Sequence, residues 1–168
     1  MQMADPHVGM ISFQKALQEG VLDVSPVRNH KDLYSHIDEP SPGTIRLTYV
    51  RLTEDRKSVL AFLACVMNGQ ISGFPCVAMG YAVPENLRNQ GLAKQILKDV
   101  VQDQISQAGQ MGNSQLFIEA VVDVHNPESQ RVAEAVLKSP RESITDTASG
   151  RPAYRYTAQF DTSTGLQL

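Results

Sequence analysis

No charge of one sign dominates this sequence: 15 lysines and arginines stand against 18 aspartates and glutamates, a formal net charge of -3. That near balance argues against a non-specific nucleic-acid binder, whose affinity comes from a cationic surface. No stretch reaches the ~20 apolar residues of a membrane-crossing helix. The first ten residues also lack the charged segment and apolar block of a secretory leader. The expectation is a cytoplasmic protein with no membrane partner and no direct nucleic-acid partner. Cysteine is scarce: Cys65 and Cys76 sit singly inside apolar runs, at a spacing that suits neither a redox pair nor a zinc knuckle. They read as buried structural thiols, and no metal is expected.

What is present is enough apolar sequence for one core. The chain has 168 residues, 42% of them hydrophobic and 20% charged, the profile of a single domain spanning residues 1–168. Its first 43 residues read as helix and loop. A short helix is predicted over 11–19, with Ile11, Ala16 and Leu17 on its apolar side and Gly20 ending it, and another over 31–37. The run Asp38-Glu39-Pro40-Ser41-Pro42-Gly43 then reads as a loop.

From Thr44 the pattern changes to strands. Residues 45–50 alternate with period two, 58–67 form a longer apolar run, Asn68-Gly69 offers a tight turn, and 75–83 form another strand, giving an antiparallel meander. Leu92, Ala93, Ile96, Leu97, Val100, Val101, Ile105 and Ala108 have the spacing of a helix burying one face, closed by Gly109 and Gly112. Residues 116–122 read as a central strand covered on both faces. Asn126-Pro127 is a helix start, with Glu128 in the first turn and Val132, Ala133, Val136 and Leu137 on the buried side. Strands over 143–147 and 154–160 and a flexible tail over 161–168 complete a mixed, largely antiparallel sheet flanked by helices, an α/β fold.

The junction Arg88-Asn89-Gln90-Gly91-Leu92-Ala93 leads from a strand into a long amphipathic helix. First-turn amides of a helix have no intrahelical partner and converge on an anion. Gly91, without a side chain, permits close approach of a phosphate to the backbone. The pattern is neither a triphosphate loop nor a three-glycine dinucleotide fingerprint.

Gly80-Tyr81-Ala82-Val83-Pro84 followed by Arg88-Asn89-Gln90-Gly91-Leu92-Ala93 resembles the acetyl-coenzyme A motif of the GNAT superfamily: arginine or glutamine, two residues, glycine, one residue, glycine or alanine. Ile118-Glu119-Ala120, then Asn126, Ser129 and Val132-Ala133-Glu134, is similar to the branch containing bacterial ribosomal-protein alanine N-acetyltransferases. The resemblance covers about residues 44–160. It implies a GNAT, or acyl-CoA N-acyltransferase, fold and acetyl-CoA as cofactor. The amides around Gln90, Gly91, Leu92 and Ala93 would hold the pyrophosphate, with Arg88 and Asn89 beside them. The strand carrying Tyr81, Ala82 and Val83 would pair with the pantetheine arm, and Asn126 and Ser129 would lie on the arm's far side.

The reaction implied is N-acetylation of a primary amine by direct attack on the thioester. The acceptor is a protein N-terminus or a small molecule such as a polyamine or antibiotic; a CoA-binding sensor or interaction module without turnover is the alternative. An alkyl ammonium must lose a proton before it attacks. Glu119 is the first candidate base and Asp123 the second, while His125 reads as incidental. The family's tyrosine, seven positions after the asparagine, is replaced by Ala133, so Ser129, Tyr154, Tyr156 or water remain as donors to the departing thiolate. Leu137-Lys138 stands where the family has glycine-phenylalanine, which implies an altered helix exit. Family members are monomers or homodimers.

Overall fold

The structure, a computed structural model, describes residues 5–147 and 149–168. Residues 1–4, part of the segment read for a leader, and residue 148 lie outside the described residues. Helix α1 (Pro6–Gln18) is followed by strands β1 (Ser25–Pro26), β2 (Leu33–Ser41), β3 (Thr44–Leu52), β4 (Val59–Ile71) and β5 (Phe74–Ala82). Helix α2 (Leu92–Gln110), β6 (Gln115–Asp123), α3 (Pro127–Leu137), β7 (Arg141–Thr145) and β8 (Pro152–Asp161) complete the chain. The strands form one mixed sheet in the order β1-β2-β3-β4-β5-β6-β8-β7, in which β5 and β6 are parallel and every other neighbouring pair is antiparallel. From Thr44 onward the element order is the one the hydrophobic patterns predict. Among the described residues, no helix is long and apolar enough to cross a membrane.

Alternation along the strands divides the core in two. Leu63, Cys65, Val77, Met79, Ile118, Ala120 and Tyr156 face α2 and α3, against Ile96, Leu97, Val100, Ala133 and Leu137. Met10 and Phe13 of α1 pack on the opposite face with Val50, Phe62 and Tyr34. Each fully buried aliphatic side chain contributes about 1.5–3 kcal/mol, so α2, with five large ones, is firmly seated. Two polar contacts fix its rotation: the Tyr49 hydroxyl donates to Asp103 at 2.6 Å, and Arg51 pairs with Asp99 at 2.6 Å. Burial, then the Asp103 carboxylate, pushes the Tyr49 phenol well up from its ordinary range. Since β5, α2 and β6 are consecutive, this seating also aims the N-terminus of α2.

The N-terminal third departs from expectation. The first helix starts at Pro6, because Asp5 accepts a hydrogen bond from the His7 amide at 2.9 Å and Pro6 takes a first-turn position where its missing N–H costs nothing. Residues 31–37 are not helical, and 38–43 are not a loop. They form β2 and its hairpin, where Tyr34, His36 and Asp38 pair with Val50, Thr48 and Arg46. Pro40 is tolerated because β1 pairs only with Tyr34 and Ser35, and the β2–β3 register is interrupted between Asp38 and Ser41.

Asn68-Gly69 does not make the β4–β5 turn. Ser72 and Gly73 do, at φ 52 and 83, the left-handed pair that a two-residue hairpin wants. Nor is β6 covered equally on both faces: Leu116, Ile118, Ala120 and Val122 are buried, whereas Phe117, Glu119, Val121 and Asp123 are half-buried. Residues 161–168 are not a free tail. Leu168 N–H donates to the Gln159 carbonyl at 2.8 Å, and Gln167 Nε2 donates to the Leu137 carbonyl at the end of α3 at 2.5 Å. At that helix exit Lys138 adopts the left-handed conformation, φ 50, and Leu137 is fully buried.

Candidate active site

The parallel β5–β6 pair is short. Cys76, Val77, Ala78 and Met79 pair with Phe117, Ile118, Glu119 and Ala120, and there the ladder stops. Gly80 to Ala82 still pair with β4, and Val121 to Asp123 still pair with β8, so both strands continue while separating from each other. Into this gap opens a cavity of about 980 Å³, lined by Gly80, Tyr81, Ala82 and Val83 on one side and Glu119, Val121, Val122 and Asp123 on the other.

Both crossover helices begin at this cavity. Arg88, Asn89, Gly91, Leu92, Ala93 and Lys94 line it at the start of α2. Asn89 and Gly91 have left-handed backbones, φ 62 and 76, which fold the loop back on itself before the helix begins. Gly91 is the N-cap and supplies no side-chain acceptor, and no acid occupies the first turn. The first-turn amides therefore face the cavity without a protein side chain to receive them, as an anion site requires. Lys94 strengthens the case: a cation in the first turn opposes the helix dipole unless an anion is to be bound there. Gln90 is exposed and does not line the cavity.

At the start of α3, the Asn126 side-chain oxygen accepts from the Ser129 amide at 3.1 Å, the N-cap predicted from Asn126-Pro127. Both residues line the cavity, as does Arg131 one turn on. The Ser129 hydroxyl makes no hydrogen bond to a described residue, whereas its carbonyl accepts from the Tyr81 hydroxyl at 2.6 Å. Tyr81 thereby ties β5 to the first turn of α3 across the gap; burial pushes its phenol well up, so the group stays protonated and donating. Tyr81→Phe should destabilise the fold by about 0.5–1.5 kcal/mol, read as a lowered urea midpoint; an unchanged midpoint would deny Tyr81 this structural role.

The carboxylates differ in what they hold. Asp123 Oδ1 accepts from the His125 amide at 2.8 Å and its Oδ2 pairs with Arg151 at 3.3 Å. Glu119 lines the cavity and accepts a single hydrogen bond among the described residues, on one oxygen, at 3.3 Å from Asn68 of β4. His125 is exposed at the rim.

The two tyrosines considered as acids are not brought here. Tyr156 is fully buried on the helix-packed face with its hydroxyl donating to Glu134 at 3.2 Å, and Tyr154 stacks under Arg141, whose guanidinium lies 4.1 Å from the ring centre. They stand in register with Ala120 and Val122 on the helix-packed face, which puts them behind the sheet from Glu119. Cys65 and Cys76 are buried free thiols, each pushed up to about 12 chiefly by burial, which removes both as nucleophiles near neutrality.

Sequence reasoning missed Lys94, Arg131, Asn68 and the α1 start at Asp5, Pro6 and His7, all of which line the cavity. The signals for two of these were present: a lysine three residues after the N-cap glycine, and an Asp-Pro cap of the same kind as Asn126-Pro127.

No family model matches the chain, and no curated protein matches it. Among solved structures the chain is similar to an acetyltransferase of the GNAT family from Bacillus anthracis, with 15% identity over 69% of this chain and 66% of that one and a TM-score of 0.48. It is similar also to a ribosomal-protein alanine acetyltransferase from Vibrio fischeri, with 10% identity, 67% and 60% coverage and a TM-score of 0.49. A third is NAA60 from Arabidopsis thaliana in complex with acetyl-CoA, with 12% identity, 70% and 76% coverage and a TM-score of 0.46.

Proposed function

We propose that this chain is an acetyl-CoA-dependent N-acetyltransferase of the GNAT type that acts on a primary amine, with a protein N-terminus as the first acceptor to test and a small amine as the second. One observation carries the reading: β5 and β6 stop pairing after Met79 and Ala120, and the unpaired edges face a single cavity into which α2 and α3 both open. An extended amide-bearing arm needs a free strand edge to pair with, and an attached pyrophosphate needs uncapped helix amides. The Gly80 to Ala82 edge and the Gly91 N-cap supply both, on one continuous wall. Arg88, Lys94 and Arg131 add positive charge to the lining, so the residues present fit an acyl-CoA.

When bound, acetyl-CoA supplies a thioester carbonyl open to attack by a neutral amine. Glu119 then takes the ammonium proton of the acceptor, directly or through a water, since one of its oxygens is free. A backbone amide near Tyr81 or Ala82 stabilises the charge that develops on the carbonyl oxygen. The carbon–nitrogen bond would form as the carbon–sulfur bond breaks, and the second proton of the attacking nitrogen would pass through the Ser129 hydroxyl, or a water, to the departing sulfur. No covalent acyl-enzyme is needed, and Asp123 serves the β6–α3 turn instead, with both oxygens engaged.

Tyr154→Phe and Tyr156→Phe should each retain wild-type turnover, because neither hydroxyl reaches the cavity; a loss of about a hundredfold or more in kcat, the lower end of a general-acid effect, would return one of them to the mechanism. A second reading, a CoA-binding module without turnover, is favoured by the fully buried Ala133 where the related pattern carries a tyrosine. Thiol release from acetyl-CoA, measured with a panel of N-terminal peptides and polyamines, separates the two. Acceptor-dependent release supports the enzyme, tight binding without release supports the module, and no binding at all contradicts both.

A further inference from the structure

We propose that Asn68 is the positioning residue for Glu119, aimed across the sheet by a bulge in β4; the proposal rests on the acetyl-transfer reading above. The β4–β5 register runs from Phe62↔Ala82 to Met67↔Val77 and resumes at Gln70↔Pro75, so Asn68 and Gly69 together stand opposite Cys76. Two residues facing one free part of the strand from its ladder and re-aim its side chains. Gly69 takes the left-handed conformation, φ 67, that this local turn demands.

The side chain thus released crosses β5. Backbones two strands apart in a sheet are separated by about 9–10 Å, yet Asn68 Nδ2 lies 3.3 Å from Glu119 Oε1. Such reach needs a low middle strand, and Ala78 is the β5 residue in register with Glu119. A carboxylate only accepts, so the amide nitrogen must be the atom facing Glu119, and the Asn68 oxygen is left to accept from another donor. Both residues line the cavity, which places a second acceptor atom beside the proposed base for an incoming ammonium.

Nothing else holds Glu119 by a hydrogen bond among the described residues. Arg155 on β8 feels its charge but commits its guanidinium to Glu142 at 2.9 Å. Cys76 on β5 is an uncharged thiol, and Asp123 on the same face of β6 is paired with Arg151. Asp5 and His7 at the start of α1 line the cavity without bonding Glu119. The orientation of the base depends on Asn68.

The test is a double-mutant cycle on kcat, with acetyl-CoA and whichever peptide or polyamine turns over. Asn68→Ala should lower kcat on the order of tenfold, the loss of one hydrogen bond to a charged group, with KM for acetyl-CoA unchanged. In the Glu119→Gln background it should lower kcat no further. Equal losses in both backgrounds, or an unchanged kcat, would overturn the proposal. Asn68→Asp, which keeps the side-chain shape and brings a like charge beside Glu119, should reduce kcat more than the alanine variant and serves if Asn68→Ala fails to fold.

A second measurement needs no turnover. With ¹⁵N-labelled, substrate-free protein, the Asn68 side-chain NH₂ signals should move in Glu119→Ala, because the acceptor of their hydrogen bond is removed. Unmoved signals overturn the link. If the wild type shows no acetyl transfer at all, that arm still decides between a held and an unheld Glu119, so failure of the enzyme reading and failure of this one are told apart.

Discussion

Glu119→Gln should lower acetyl transfer by about 10²–10⁴-fold, the span that a positioned general base contributes, while acetyl-CoA affinity stays close to that of the wild type. The expectation follows from three features of the residue. It is half-buried at the point where β5 and β6 separate, it lines the cavity with one oxygen that accepts from no described residue, and it lies on the sheet face opposite the helices that hold the proposed pyrophosphate site. Glutamine keeps the shape and the hydrogen-bonding capacity but accepts no proton, so the loss should fall on kcat. Steady-state kinetics with a binding titration alongside would check this; a variant with wild-type kcat removes Glu119 as base and leaves solvent in that role.

Gly91→Val should raise the dissociation constant of acetyl-CoA by roughly tenfold or more. The glycine has φ 76, and a branched L-residue held there costs about 1–2 kcal/mol. A Cβ at this position meets no protein atom within 4 Å, so packing in the fold is not what suffers. If the backbone relaxes to negative φ, the first-turn amides turn away from the cavity; if it does not, the side chain stands where the anion must approach. Calorimetric titration with a thermal melt as folding control reads the effect, and unchanged affinity in a folded variant would remove the pyrophosphate assignment.

What was legible in the sequence follows from how local each signal is. Helices α2 and α3 were readable because their apolar residues repeat at three and four over three or more turns, and because Asn126-Pro127 is a cap whose chemistry is contained in two adjacent residues. The same two-residue cap stands at Asp5-Pro6, but the exposed Val8 and Ile11 blur the apolar face behind it, so periodicity alone starts that helix at Ile11. Strand β2 was hidden by Pro40 and Pro42, which mark a loop only where the backbone donor is needed; at this edge it is not. Asn68-Gly69 carries the composition of a hairpin turn, yet the two left-handed residues that form the turn are Ser72 and Gly73. Only pairing with β5 decides between turn and bulge, and pairing is not local.

The site divides along the same line. Gly91 and its neighbours lie on one segment, so the anion cradle could be read from sequence. Glu119, Asn68 and Asp5 come from three elements far apart in the chain, and what each does depends on register. Tyr154 and Tyr156 illustrate the converse: their residue type suits an acid, but the alternation of β8 turns both toward the helices.

The central claim is that the separated edges of β5 and β6, together with the start of α2, receive one ligand. Amide hydrogen exchange, residue by residue, with and without acetyl-CoA tests it most directly. The account predicts slowed exchange on the free edge of Gly80 to Ala82 and at the first-turn amides of Leu92, Ala93 and Lys94, with little change in β2 and β3. Unaltered exchange at both places in the presence of saturating acetyl-CoA would contradict it.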